Sequence, residues 1–217
     1  SLVVYFHAAV NRKKNTPPIY YRHKLPYDVI SISDTNLESN SELTAGWHSN
    51  GPDFKVNDAI NCYIQKMKSQ YENIICVGSS SGGFVALRTA IQNGVMAAAY
   101  NCQVDIKKYG ERANGAWKRF TEHFNGAALE CLDELFMNNT LSEYSTMQPM
   151  LISQNKRDIH HYQQHFLPFK ELVHKLEVKH IYFNEFDEDG TVPHQIRSKG
   201  NELMAVTILK DIQFLIS

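Results

Sequence analysis

Four apolar residues, Ile74-Ile75-Cys76-Val77, run directly into Gly78-Ser79-Ser80-Ser81-Gly82-Gly83, and a helix-like stretch begins at Phe84. Few folds accept such a passage. A strand that turns into a helix within this span needs glycines where backbone meets backbone, and it leaves the middle residue on a sharp, exposed bend. Gly-x-Ser-x-Gly counted from Gly78 to Gly82 puts Ser80 on that bend. Ser79 and Ser81 each miss one of the two motif glycines. A serine hydroxyl attacks a carbonyl only when a base removes its proton, so a serine displayed in this way is a candidate nucleophile. The backbone N–H of Ser81 is then a candidate oxyanion donor.

The rest of the chain alternates strands with helices, which predicts a mostly parallel sheet of about six strands with helices on both faces. Leu2-Val3-Val4-Tyr5-Phe6 is a continuous apolar run suited to a strand buried on both sides. Residues 27–32 read as a second strand and 35–54 as a loop. Val56, Ile60, Ile64 and Met67 recur at helical spacing, which predicts a helix over 55–71. The elbow strand covers 73–77, and the helix after it ends at Asn93-Gly94. Further strands are expected over 95–100, 149–153 and 178–183, with a helix over 165–175 and another at the C-terminus. Residues 104–147 are rich in aromatic and charged side chains, with helical patches over 116–123 and 127–136 and no strand. We read them as a helical lid or insertion within one domain spanning 1–217. Tyr109, Trp117 and Phe120 would form that lid's own small core.

With 22 basic and 23 acidic residues the formal net charge is −1, so nothing favours nucleic acid or an anionic membrane surface as a partner. No apolar run approaches the roughly 20 residues that span a bilayer, and no signal-peptide pattern appears. The chain opens on Ser1 and enters a strand at once, which reads as a domain excised or processed from a longer chain. Cys62, Cys76, Cys102 and Cys131 contain no CxxC pair and read as small buried hydrophobes in a reducing, cytoplasmic setting.

Loops at the carboxyl ends of parallel strands carry the chemistry of such sheets. Asp158 ends the loop after the strand over 149–153, and His194 follows the last strand, so Ser80, Asp158 and His194 form a candidate nucleophile–acid–base set. Asp187, Glu188 and Asp189 compete as the acid, and His160, His161 and His165 as the base. His161 and His165 stand four residues apart, as metal ligands on one helix face do. Without a third ligand or a glutamate base at a recognisable spacing, we expect no metal. Ala8, in the loop after the first strand, is the candidate second oxyanion donor, with Ala9 as its rival. His7 reads as a strand-end histidine bonded to loop backbone. Trp47, Asn50 and Gln103 are candidate substrate-binding residues, with Trp47 read equally as a packing plug.

On the elbow, the strand-end Asp158 and the late His194, the chain resembles the α/β-hydrolase superfamily over nearly its whole length. That resemblance implies a serine esterase or acyltransferase with a Ser-acid-His triad in that order along the chain. Tyr5-Phe6-His7-Ala8-Ala9-Val10, Ala45-Gly46-Trp47, the serine-rich elbow and His165-Phe166-Leu167-Pro168-Phe169 look like one bacterial branch. It includes the acetyltransferase-like component of accessory Sec systems and capsule-polysaccharide O-acetyltransferases. The branch implies acyl transfer to carbohydrate hydroxyls, a small-molecule or glycan ester as substrate, no required cofactor, and acetyl-CoA as a candidate acyl donor. His7-Ala8-Ala9 stands where the family carries His-Gly, and the strands that precede the first one in the family have no counterpart here.

Overall fold

The computed structural model describes residues 1–13, 17–20, 24–51, 54–106, 108, 116–123, 148–187, 194 and 201–217. Six parallel strands form one sheet: β1 (Leu2–Phe6), β2 (Asp28–Ile32), β3 (Ile74–Ser79), β4 (Met96–Tyr100), β5 (Met150–Asn155) and β6 (Ile181–Phe186), in the order β2-β1-β3-β4-β5-β6. The central strands are buried along almost their whole length, as covering both faces of a parallel sheet requires. One face packs Leu2, Val4, Phe6, Cys76, Ala97 and Ile152 against α2 (Val56–Met67) and α3 (Ser81–Asn93). The other face packs Val3, Ile75, Val77, Ala98 and Leu151 against Ile208, Ile212 and Leu215 of the C-terminal helix. From β1 the chain steps outward to β2, then returns to the far side of β1 as β3. The carboxyl ends of β1 and β3 therefore flank the point where strand order reverses, which is where α/β sheets bind ligands.

Several predicted boundaries move. The loop over 35–54 contains a short helix, α1 (Asn36–Ser39). The last strand begins three residues late, because Glu177 and His180 adopt left-handed φ of 51° and 67° and the Val178 N–H turns back to Val173 O. The helix expected over 165–175 starts earlier, with α5 (Ile159–His161), a π-helical turn over Tyr162–Phe166 and α6 (Leu167–Lys175) running on without a break. Cys62 is exposed while Cys76 and Cys102 are buried. Position 62 lies opposite the Val56, Ile60 and Ile64 stripe of α2.

Within the expected lid, α4 (Ala116–His123) is helical as predicted. Phe120 does not join a separate lid core; it is fully buried in the main core, edge-on to Trp47 at 4.8 Å. Tyr109, Cys131, the helical patch over 127–136 and the side chain of Trp117 lie outside the described residues. The C-terminal helix, α7 (Asn201–Ile216), is tied to the sheet by a 2.6 Å hydrogen bond from the Tyr100 hydroxyl to Asp211 Oδ2.

Candidate functional site

Ser80 has φ 53° and ψ −122°, between the last residue of β3 and the first of α3. An L-residue adopts such a conformation only when its surroundings enforce it. Three glycines do so. A Cβ on Gly78 would stand 2.2 Å from Gly82 O, one on Gly82 would stand 2.3 Å from Phe6 O and 2.5 Å from His7 O, and one on Gly83 would stand 2.5 Å from the Cys102 Cβ. The motif is thus a set of close contacts, those of Gly78 and Gly82 with backbone and that of Gly83 with the Cys102 Cβ, that leave no room for a side chain. The Ser80 N–H donates to Tyr100 O, and Ser80 O accepts the N–H of Phe84 and Gln103.

The Gly82 contact presses the end of β1 and His7 against the first turn of α3. The Asp34 N–H donates to His7 Nε2 at 3.0 Å, so His7 carries its proton on Nδ1, which donates to Ala8 O at 2.7 Å. His7 holds loop backbone, as expected of it.

Asp158 and His194 meet: the His194 Nδ1–H donates to Asp158 Oδ2 at 2.5 Å. Asn101, at φ 41° just past β4, ties this pair to the elbow. Its Nδ2 donates to His194 O at 3.1 Å, its Oδ1 accepts the Asn155 N–H at 2.8 Å, and its neighbour Tyr100 accepts the Ser80 N–H. Ser80, Asp158 and His194 therefore share the carboxyl rim of β3, β4 and β5. The rival acid Asp187 is occupied by the Arg157 guanidinium, and Glu188 and Asp189 lie outside the described residues.

A second imidazole shares the carboxylate. His161 Nδ1 lies 3.0 Å from Asp158 Oδ2 and 3.2 Å from Oδ1, and its ring lies tilted against His194 with centroids 4.1 Å apart. Burial alone would raise the Asp158 carboxyl, but the hydrogen bonds from His161 and His194 outweigh it and hold the group well below the usual carboxylate range. Burial lowers His161, with Asp158 opposing, so this imidazole is neutral. Burial also drives the fully buried His165 down to about 2.

Asp158, His161 and His194 place three donor atoms within 4.8 Å of one another, a set chemically suited to zinc. Their two rings are inclined by only 31°. Both imidazoles present Nδ1 to the same Asp158 carboxylate. The arrangement is that of two N–H donors on one carboxylate.

The expected substrate-binding residues separate. Trp47 is 1% exposed, so it packs rather than lining an open surface. Trp47 and His48 sit at φ 50° and 47°, with their carbonyls held by the buried Arg88 and the neighbouring Gly46 and His48 N–H groups by Asp34. The Trp47 indole N–H donates to Gln103 Oε1 at 2.7 Å. That fixes the Gln103 amide so that Nε2 points to Ser80 Oγ, at 3.5 Å. Gln103 is fully buried and faces the serine from below. Asn50 is committed elsewhere: both ends of its amide bond Asp58, which joins the loop to the first turn of α2.

No family model matches the chain, and no curated protein matches it in sequence. Solved structures do match it in three dimensions. The capsule O-acetyltransferase of Neisseria meningitidis serogroup A superposes with a TM-score of 0.59 at 15% identity, over 97% of this chain and 86% of that one. An acylaminoacyl peptidase in complex with Z-Gly-Gly-Phe-chloromethyl ketone gives 0.60 at 16% identity over all of this chain, which spans 36% of the peptidase. The glycosylation associate protein complex (Gap123) of Streptococcus agalactiae gives 0.52 at 11% identity, over 98% of this chain and 41% of that one. Together with the strand order and the elbow, these matches give the chain an α/β-hydrolase-like fold.

Proposed function

We propose that this chain is a serine-dependent acyl-ester enzyme, an esterase or O-acetyltransferase working through an acyl-serine intermediate. The observation that carries the reading is Ser80 held at positive φ on a strand-to-helix turn, at the same rim as a hydrogen-bonded Asp158–His194 pair. With His194 Nδ1–H committed to Asp158, Nε2 is the atom left to take a proton. Ser80 Oγ attacks the ester carbonyl as its proton passes to His194 Nε2, and the oxyanion is received by the N–H groups of Ser81 and Ala8. The positive end of α3 favours that charge. Collapse of the adduct expels the alcohol of an ester, or the thiol of a thioester donor, which takes the proton from His194 and leaves acyl-Ser80. Water or an acceptor hydroxyl then loses its proton to His194 and attacks the acyl carbon, and the Ser80 Oγ leaves as it takes that proton back from His194.

A carbohydrate or surface glycan is the substrate class we favour. It is supported by the sequence resemblance to capsule O-acetyltransferases and by the likeness in fold to one of them. Acetyl-CoA is the acyl donor we propose for transfer, and the free thiols of Cys76 and Cys102 support a cytoplasmic site of action. No described helix is long and apolar enough to cross a membrane.

A fluorophosphonate probe tests the reading. The wild-type chain should be labelled at Ser80 and hydrolyse p-nitrophenyl acetate, and Ser80→Ala should do neither. A folded wild-type chain that resists the probe would make it a non-catalytic binding module instead.

A further inference from the structure

Asp158 does two jobs. It is the N-cap residue of the helical run that begins at Ile159, with Oδ1 accepting the His161 backbone N–H at 3.4 Å. The same carboxylate receives imidazole N–H groups from His161 and from His194, and the acyl-serine chemistry above uses only the second.

On the footing of that reading, we propose that His161 is a positioning residue: its Nδ1–H locks the rotation of the Asp158 carboxylate and so aims the His194 imidazole at Ser80. A carboxylate held by one imidazole and the long 3.4 Å cap bond can still turn about its Cβ–Cγ bond and carry the imidazole with it. A second donor from a helix that the carboxylate itself caps removes that freedom, because His161 is fixed by both its backbone and its ring. The shared carboxylate also divides its charge between two donors, so Asp158 grips His194 less strongly than it would alone.

The groups facing His161 leave it as a hydrogen-bond donor and not a cation. They are Asp158 and His194 from the strand-end loops, with His160 and His165 from its own helical run at ring separations of 5.3 Å and 5.2 Å. The Lys108 cation acts on His165 as well, lowering it further. The π-helical turn over Tyr162–Phe166 is what packs this group. Its wider spacing brings His165 beneath both His160 and His161, where an α-helix would set His160 well off that face.

Two substitutions separate the donor from the ring. His161→Phe keeps an aromatic ring and loses the N–H. Its kcat for p-nitrophenyl acetate should fall about 10- to 100-fold, the weight of one hydrogen bond to a charged group. KM should stay within about twofold. His161→Asn, whose Nδ2 sits where the imidazole Nδ1 was, should recover most of the loss. Wild-type kcat in His161→Phe overturns the proposal, and so does an Asn variant as impaired as the Phe variant.

A second measurement does not depend on turnover. Ser80→Ala protein should show two far-downfield imidazole N–H proton resonances that both vanish in Asp158→Asn. Adding His161→Asn should remove one and shift the other; an unmoved second resonance overturns the proposal. A wild-type chain that resists the fluorophosphonate would strike at the acyl-serine reading and leave this spectrum as it is, so the two failures are distinguishable.

Discussion

Replacing Gly82 with alanine puts a methyl group where the loop after β1 meets the first turn of α3. The new Cβ would stand 2.3 Å from Phe6 O and 2.5 Å from His7 O, both backbone atoms, whereas real Cβ contacts essentially never fall below 3.0 Å. No rotamer relieves the clash, so the loop and the helix must part by roughly 0.7 Å at least. In the proposed mechanism that gap separates the two oxyanion donors, Ser81 on α3 and Ala8 on the loop. A misplacement on the order of 1 Å at a reacting centre costs about 100-fold in rate, and overpacking of this kind costs about 1–3 kcal/mol of stability. We therefore expect Gly82→Ala to fold with a lowered melting temperature, and its rate of fluorophosphonate labelling at Ser80 to fall by about two orders of magnitude. Gly94→Ala is the control. Gly94 closes α3 at φ 58° with nothing within 4 Å of a new Cβ, so it should lose about 1 kcal/mol and label at the wild-type rate. Equal labelling by Gly82→Ala and wild type would refute the argument that this contact sets the oxyanion geometry.

Tyr100→Phe removes the hydroxyl that ties α7 to β4 through Asp211. A hydrogen bond to a charged group is worth about 2 kcal/mol, or roughly 4–8 °C for a chain of this length, and differential scanning calorimetry showing no shift would contradict that tie. Stability should also fall with acid. Burial lowers His48 to about 4 and His165 to about 2, both below their unfolded value of 6.5. Both are neutral in either state above pH 6.5, and below it the unfolded chain binds protons that the folded chain refuses. Each histidine then costs about 1.4 kcal/mol per pH unit until its folded pKa is reached. Urea midpoints should be level between pH 7 and 8 and drop steadily from pH 6.5 to 4.5; a level curve there would refute the neutral burial of both rings.

The legible part of this chain was the part whose constraints are local. Gly78 and Gly82 exclude side chains because backbone approaches them from a few residues away or from the adjoining strand, and Gly83 because the Cys102 Cβ does, and that leaves a fixed spacing around Ser80. Continuous apolar runs marked the buried strands for the same reason. Trp47, Asn50 and Phe120 were less legible. An indole in a loop carries no sign of the Asp34 and Arg88 groups that clamp its backbone inward, or of Phe120 arriving from 73 residues away. Asn50 read as a substrate-binding residue, and only the start of α2 at Val56 shows that Asp58 takes both ends of its amide.

His161 lies between these cases. Its signal was present in Asp158-Ile159-His160-His161, where an N-cap acid stands three residues before a side chain able to reach back to it, the spacing of a capping box with histidine in place of glutamate. That pattern ordinarily means only that a helix begins. It acquires chemical meaning because the capping acid is also the partner of His194, a residue 36 positions away. The same cap that starts the helix then delivers a second N–H to the carboxylate, so the geometry of a helix terminus and the aim of an imidazole become one constraint. A substitution that weakens the cap should for this reason disturb the site before it disturbs the fold.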